Sequence, residues 1–488
     1  MKKILILFGV MITSLVLLVL FNTINFGASA AATVDDVTIT LGRVGIADRL
    51  AGALRFKTIS HQNVADNDYT ELLGLHRYME AEFPLVHEIL SKEVVNEYSL
   101  LYKWKGSNDA LKPAILLSHL DVVPVVPGTE DQWDQPPFSG KIKDGLIWGR
   151  GAIDDKYSVF SILEAVEQLI SKGYMPERTY YLAFGHDEET GGRDGAKAMG
   201  ELLAERGVQA LYAIDEGGMI VKSAFGLNKS IALINISEKG FLSLQLSVVG
   251  SGGHSSSPDA ETAVAILSRA VTQVSDNKFP VNIDALNDMA FAVASELTFP
   301  QKMVAANLWL LKPLMEIYGE RVPALNSMIR TTTAPTMLSG SPKDNVLPIL
   351  ATAVVNHRIM PGETIESVMG FVRDVIDDER VKVDILGESN NPSEVSSLGP
   401  AFQMIRSTIQ QVSLDDPVTV PGMLPAGTDT KHYKQVADDT YRFFYAVLES
   451  NDMGRAHGTN ERVAVNAYLE SIKFYILLFK NSDEITDD

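Results

Sequence analysis

Residues 114–121 read Ala-Ile-Leu-Leu-Ser-His-Leu-Asp. The first five form a short continuous apolar run, the pattern of a strand covered on both faces. A histidine and an aspartate follow at once. Further along, Ser158–Ile170 places Val159, Leu163, Val166 and Ile170 at helical spacing. Thr179–Phe184 and Ala210–Ile214 repeat the buried-strand pattern. Strand and helix alternate, which predicts an α/β fold: a mainly parallel sheet flanked by helices.

The pattern changes at Leu242–Val249, which alternates apolar and polar until Gly250-Ser251-Gly252-Gly253 interrupts it. Beyond it the chain predicts a helix near Ala260–Val274, strands near Thr333–Leu338 and Ile349–Ile359, a helix near Ile365–Ile376 and a strand at Val381–Leu386. These strands alternate, as in a sheet with one solvated face. The expected organisation is therefore a first domain over 40–248, a smaller α+β domain inserted over 249–388, and a return to the first domain over 389–488. The segment Asn282–Arg330 is an extra helical stretch within the insert. The returning chain predicts helices near Phe402–Val412 and Arg462–Phe479, and a strand at Tyr441–Val447.

Lys2 and Lys3 precede an apolar run, Ile4–Phe21, and Ala28-Ser29-Ala30 follows. A positive end, an apolar middle and a small-residue site are the order of a secretory signal, with cleavage expected after Ala30. The run is also long enough for an uncleaved membrane anchor over the same residues 1–30. Either fate puts the body outside the cytoplasm, periplasmic or secreted.

The 488 residues carry a net charge of -20, with 62 acidic against 42 basic side chains. That field repels a phosphate backbone, so no nucleic-acid partner is expected. There is no cysteine. Disulfides, thiolate metal sites and cysteine nucleophiles are excluded, and any metal must be held by histidine and carboxylate.

The polar residues fall at the carboxyl ends of the predicted strands, where sheets of this type keep their chemistry. His119-Leu120-Asp121 follows the first strand, and Gly149–Lys156 precedes the helix. His186-Asp187-Glu188-Glu189 follows the next strand, and Asp215-Glu216-Gly217-Gly218 the one after it. His457-Gly458-Thr459-Asn460-Glu461 precedes the last helix. Neighbouring carboxylates repel unless a cation separates them, so their convergence points to a metal site.

The ordered motifs SHLDVVP, WGRGAIDDK, HDEETGG, DEGG, GGHSSSP and HGTNER resemble the di-zinc metallopeptidase family of aminoacylases, carboxypeptidases and succinyl-diaminopimelate desuccinylases. The stretches ANLWLLKP, IRTTTAPTM, KDNVLP and VNHRIMPGE look most like carboxypeptidase S and the secreted N-acyl-amino-acid hydrolases. The resemblance runs from about residue 50 to the C-terminus. It implies that the inserted domain is a lid and dimerisation domain, through which many relatives form homodimers. The extra helical segment would block or replace that contact.

Position by position, the resemblance implies two Zn2+ per chain. His119, Asp154 and Asp215 would hold one; Asp154, Glu189 and His457 would hold the other. Asp154 would bridge, with a cis peptide after it. Glu188 would be the general base, and His254 of the smaller domain would reach the substrate carbonyl. Arg358 would bind the substrate carboxylate. Asn345, Gly427 and Thr428 match other substrate-contacting loops.

The chemistry agrees with these roles. Paired zincs share and acidify a water, and each keeps an open position. Cobalt or manganese suits the same N/O donors. Glu188 can move the water's proton to the leaving amine. Asp121 lies two residues from His119 and suits the acceptor of its second ring N–H. His254 can donate to the oxyanion, and a guanidinium fork suits a carboxylate. Asp155, His186, Asp187 and His432 are not expected to bind metal. The expected reaction is zinc-dependent hydrolysis of an amide bond that releases a free-carboxylate amino acid. The substrate is a short peptide, as for a carboxypeptidase, or alternatively an N-acyl, even fatty-acyl, amino acid.

Overall fold

A computed structural model describes residues 2–27, 37–223, 227, 229–413, 415–449 and 452–487. The expected cleavage site at Ala28–Ala30 lies outside the described residues. The chain forms two compact units: one of Met1–Ala28, Ser237–Val395 and Met423–Gly427, the other of Ser29–Ile236, Ser396–Gly422 and Thr428–Asp488. The smaller unit thus begins and ends outside the expected 249–388, and it takes in a short piece of the returning chain.

The larger unit is built on a ten-stranded sheet. Through its middle the neighbouring strands are Tyr180–Gly185, Ala114–His119, Ala210–Asp215 and Ala437–Arg442, all parallel. Antiparallel pairings extend it on both sides, and a parallel pair, Ile220–Lys222 with Val447–Glu449, closes one margin. The runs at 114–119 and 180–185 are buried at every position, because helices cover both faces. Leu116, Leu182 and Ile214 face one core, with the helices Lys156–Ser171 and Val465–Glu484. Ile115, Ala183 and Ala213 face the other, with the helix Ala196–Glu205. A two-sided core is the reason these strands read as continuous apolar runs.

The strand expected at Tyr441–Val447 is corrected. The ladder takes Ala437–Arg442, and pairing resumes only at Val447–Glu449. Phe443–Ala446 between them are buried but belong to no strand. Their apolar side chains report burial, which periodicity alone cannot distinguish from strand.

The smaller unit holds a four-stranded antiparallel sheet in the order Thr332–Ser339, Leu350–Ile359, Gly240–Val249, Lys382–Ile385. The two central strands alternate between buried and partly exposed positions. The buried set packs against the helices Ala263–Asp276 and Ile365–Ile376. The extra segment is helical as expected: Asp284–Ala292, Phe299–Ala305, Leu308–Tyr318 and Pro323–Ile329. The N-terminal run is a helix, Lys2–Asn25, with mean hydropathy 3.0 over its most apolar 18 residues, long and apolar enough to cross a membrane.

Candidate metal centre

His119 is the last residue of the strand Ala114–His119, so its side chain leaves the sheet at the carboxyl edge. Its Nε2 stands 2.9 Å from Asp154 Oδ1 and 3.5 Å from Glu216 Oε1. Nδ1 lies 3.0 Å from the main-chain oxygen of Asp121 and 3.3 Å from its Oδ1. The same Asp121 carboxylate accepts the backbone N–H groups of Glu188 and Glu189, both at 3.2 Å. One buried carboxylate thus orients the imidazole and fixes the turn that carries two more acids.

Asp154 lies in the loop ahead of the helix Lys156–Ser171, and the Asp154–Asp155 peptide is cis. Its Oδ2 is 3.0 Å from His457 Nε2, which is also 3.1 Å from Glu189 Oε2. Glu189 accepts the N–H of Val123 on its other oxygen, at 3.1 Å. Two groups therefore share Asp154: His119, Asp154 and Glu216, and Asp154, Glu189 and His457, each with one potential ligand atom per residue within 4.8 Å of the others. His457 sits on a positive-φ backbone (60°), with its ring half exposed.

Asp215, expected in the first group, is not in it. It is the last residue of the strand Ala210–Asp215, and its carboxylate turns back to accept the N–H of Thr430 (3.1 Å) and of Glu216 (2.9 Å). Glu216, one residue past the strand, points at His119 instead. A strand buried on both faces leaves no alternation in the sequence to say which of two adjacent acids faces the edge.

Glu461 is a residue the motifs contained but whose role was not assigned. Fully buried, it accepts N–H bonds from Gly151 (3.0 Å), Ile153 (2.8 Å) and Asp154 (3.2 Å), and its other oxygen pairs with Arg150 at 2.6 Å. It ties the His457 loop to the Asp154 loop. Asp155 takes the hydroxyl of Ser118 on its side chain, and His186 pairs with Ser99. Neither belongs to the two groups.

The electrostatics are those of crowded anions. Burial, followed by the carboxylates of Asp429, Glu189 and Asp154, holds Glu188 well above the usual carboxylate range. Burial and the charge of Asp154 do the same to Glu216. Burial alone would lower His119, yet the bonds to Asp121, Asp154 and Glu216 outweigh it and hold the imidazole well above its ordinary value. The bonds to Asp154 and Glu189 push His457 up to about 10. Three carboxylates and two imidazoles meet in one place, and their oxygen and nitrogen donors suit a divalent cation.

Four of the remaining expected residues lie in the smaller unit, and Thr428 lies in the larger. His254 is exposed beside the strand Val346–Leu347, and the N–H of Ser256 donates to its Nδ1 at 3.1 Å. An accepting Nδ1 leaves the proton of the neutral ring on Nε2. Asn345 accepts the N–H of Ser255 on its main-chain oxygen, close to His254. Arg358 stacks over Phe241, 4.9 Å from the ring centre, with no carboxylate at ion-pair distance among the described residues. Gly427 precedes Thr428, whose hydroxyl accepts the N–H of Thr430 at 3.3 Å.

The profile of "Peptidase family M20/M25/M40" matches residues 115–481, a span that contains all of these metal-centre residues. The chain belongs to that family. As an M20 enzyme it is a metallopeptidase-type hydrolase, and the family is metal-dependent. It is 37% identical to "Probable carboxypeptidase S-like 2" of Dictyostelium discoideum, over 97% of this chain and 93% of that relative. It is 38% identical to "N-fatty-acyl-amino acid synthase/hydrolase PM20D1" of Mus musculus, over 90% and 88%. Among solved structures, the M20 family metallo-carboxypeptidase Sso-CP2 from Sulfolobus solfataricus shares the fold with TM-score 0.67 at 17% identity, over 91% of this chain and all of that one.

Proposed function

We propose that this M20 enzyme hydrolyses an amide bond whose leaving part is an amino acid with a free carboxylate. The observation that carries the reading is the pair of ligand groups sharing Asp154 with Glu188 one residue from Glu189. His119, Asp154 and Glu216 would hold one divalent ion, and Asp154, Glu189 and His457 the other, zinc being the best match to the donors. Divalent ions, when bound there, would supply Lewis acidity toward the scissile carbonyl and water and would offset the like charge around Glu188.

The protein's own groups do the rest. Glu188 takes a proton from the attacking water as its oxygen bonds to the carbonyl carbon. It then delivers that proton to the amine nitrogen as the C–N bond breaks. Asp121 keeps the Nδ1 proton of His119 directed at itself, which would leave the Nε2 lone pair for an ion. Glu461 keeps the Asp154 loop in place through three N–H bonds.

Two side chains of the smaller unit have the chemistry of the remaining roles. His254 carries an Nε2–H that can donate to a developing oxyanion. Arg358 offers a guanidinium fork to the free carboxylate of the leaving amino acid.

The first reading of the substrate is a short peptide, cleaved as by a carboxypeptidase. The second is an N-acyl amino acid, and the likeness to the mouse N-fatty-acyl-amino acid enzyme favours keeping it. Turnover of a dipeptide, an N-oleoyl amino acid and the C-terminally amidated form of each separates them. Hydrolysis of at least one free-carboxylate substrate, with its amide spared, is expected. Cleavage of neither would contradict the proposal.

A further inference from the structure

The smaller unit contains an apolar surface that the hydrolase reading does not use. The helix Leu308–Tyr318 is exposed along nearly its whole length, and only Leu308 is buried. Trp309, Leu314, Ile317 and Tyr318 are exposed at 46%, 52%, 61% and 48%. Phe299 and Val304 on the preceding helix, Phe299–Ala305, are exposed as well. Lys312 and Glu316 are the only charges on the longer helix. An apolar face of this kind on a folded protein calls for something to cover it.

What covers it follows from what the surface is fastened to. Asn307 joins the two helices and is buried. Its side chain donates to the main-chain oxygen of Val19 (3.3 Å) and to the hydroxyl of Thr23 (3.4 Å), and it accepts from Asn22 at 3.0 Å. Phe26 packs edge-on against Phe291, with ring centres 5.5 Å apart. All these bonds lie at the last turns of the helix Lys2–Asn25, whose one buried residue is Thr23. The apolar run Ile4–Phe21, whose last residues reach this clasp, is about 27 Å long at 1.5 Å per residue, close to the roughly 30 Å of a bilayer's hydrocarbon core. The polar clasp therefore marks the level at which a spanning helix would leave the hydrocarbon, and the exposed face begins two residues from it.

We propose that the Lys2–Asn25 helix is retained as a bilayer-spanning anchor and that the two helices between Phe299 and Tyr318 lie in the interface of that bilayer, as a second, monotopic membrane contact. The composition suits that depth. Trp309 and Tyr318 have apolar bodies and polar tips, which favour the headgroup level. Lys312 has a stem long enough to keep its ammonium among headgroups while the chain around it is immersed. Leu314, Ile317, Phe299 and Val304 supply the apolar area that drives such a helix into the acyl boundary. The proposal is independent of the hydrolase reading.

Trp309 is a built-in reporter, because Trp104, Trp133 and Trp148 are buried in the larger unit. The full chain, its mass checked to include residues 2–25, is reconstituted into phosphatidylcholine vesicles with bromine near the carbonyl end of the acyl chains. Bromine is expected to quench the share of emission that Trp309→Phe removes, and to leave the emission of Trp309→Phe unchanged. The double variant Leu314→Glu/Ile317→Glu is expected to lose that quenching while its unfolding midpoint stays as in the wild type. Equal quenching in wild type and Trp309→Phe, or none in either, would overturn the proposal. So would an unquenched Trp309 in a protein that the double variant converts from dimer to monomer, since the face would then belong to a second copy.

Discussion

Glu216 Oε1 stands 3.5 Å from His119 Nε2, while the adjacent Asp215 gives its carboxylate to the backbone of Thr430. In the proposed arrangement Glu216, and not Asp215, would hold the first ion. Glu216→Gln is expected to lower metal content from two ions toward one per chain. It should cut hydrolysis by more than the roughly 10–100-fold typical of losing an outer partner. Asp215→Asn should keep both ions. Metal analysis of the two variants decides, and the opposite pattern would return the ligand role to Asp215.

Glu188 is held well above the usual carboxylate range by burial and by its anionic neighbours, Asp429 first among them. It takes no part in either ligand group. Glu188→Gln should leave metal content unchanged and lower kcat by about 10²–10⁴-fold. A variant with near wild-type kcat would remove Glu188 from the proton-transfer role.

Asp121 supports both an imidazole and a turn, which makes it a positioning residue. Asp121→Asn keeps the shape but weakens the acceptor for His119 Nδ1 and for two backbone N–H groups. A loss of about 10–100-fold in metal affinity or activity is expected. Added zinc should rescue part of it, and a loss that no zinc concentration reverses would point to a different role.

Asp154 and Glu189 hold His457 at about 10 in the ion-free protein. At pH 7 that ring is protonated, and a ligand must be neutral, so ion binding has to expel the proton. Affinity should therefore rise with pH, by about tenfold per unit for each proton released, and fall on acidification. Calorimetric titration in buffers of different ionisation enthalpy measures the release directly. A binding enthalpy independent of buffer would contradict the assignment of His457.

Burial holds His76 and His357 each at about 4, below the ordinary imidazole value of 6.5. Between pH 6.5 and 4 the unfolded chain binds protons that the folded chain refuses, so stability falls as pH drops through that window. Denaturant unfolding of His357→Gln should show a shallower loss over the same window than the wild type. An identical pH slope would mean that His357 titrates alike in both states.

Much of this was legible in the sequence, and the reasons differ by region. Continuous apolar runs at 114–118 and 179–184 announced strands covered on both sides, and helices do cover both sides. The alternation at 242–249 announced a sheet with one open face, and the smaller unit has one. The acids and histidines stood at strand ends, so their meeting could be expected before any coordinates. The choice between Asp215 and Glu216 was hidden, because a fully buried strand carries no period-two signal up to its last residue. Phe443–Ala446 misled for the opposite reason: their apolar character marks a buried connection. Glu461 was invisible as a clasp, since its partners are backbone N–H groups more than 300 positions away. The exposure of the helix Leu308–Tyr318 was hidden, because an apolar stretch does not declare what it will face.

The most direct test of the central claim is an ion count paired with turnover on one protein sample. Chelated protein should hold no ions and hydrolyse neither a dipeptide nor an N-acyl amino acid. Titration with zinc should restore hydrolysis of at least one of them, saturating at two ions per chain. Hydrolysis that persists in the fully chelated protein, or saturation without any ion bound, would contradict the account.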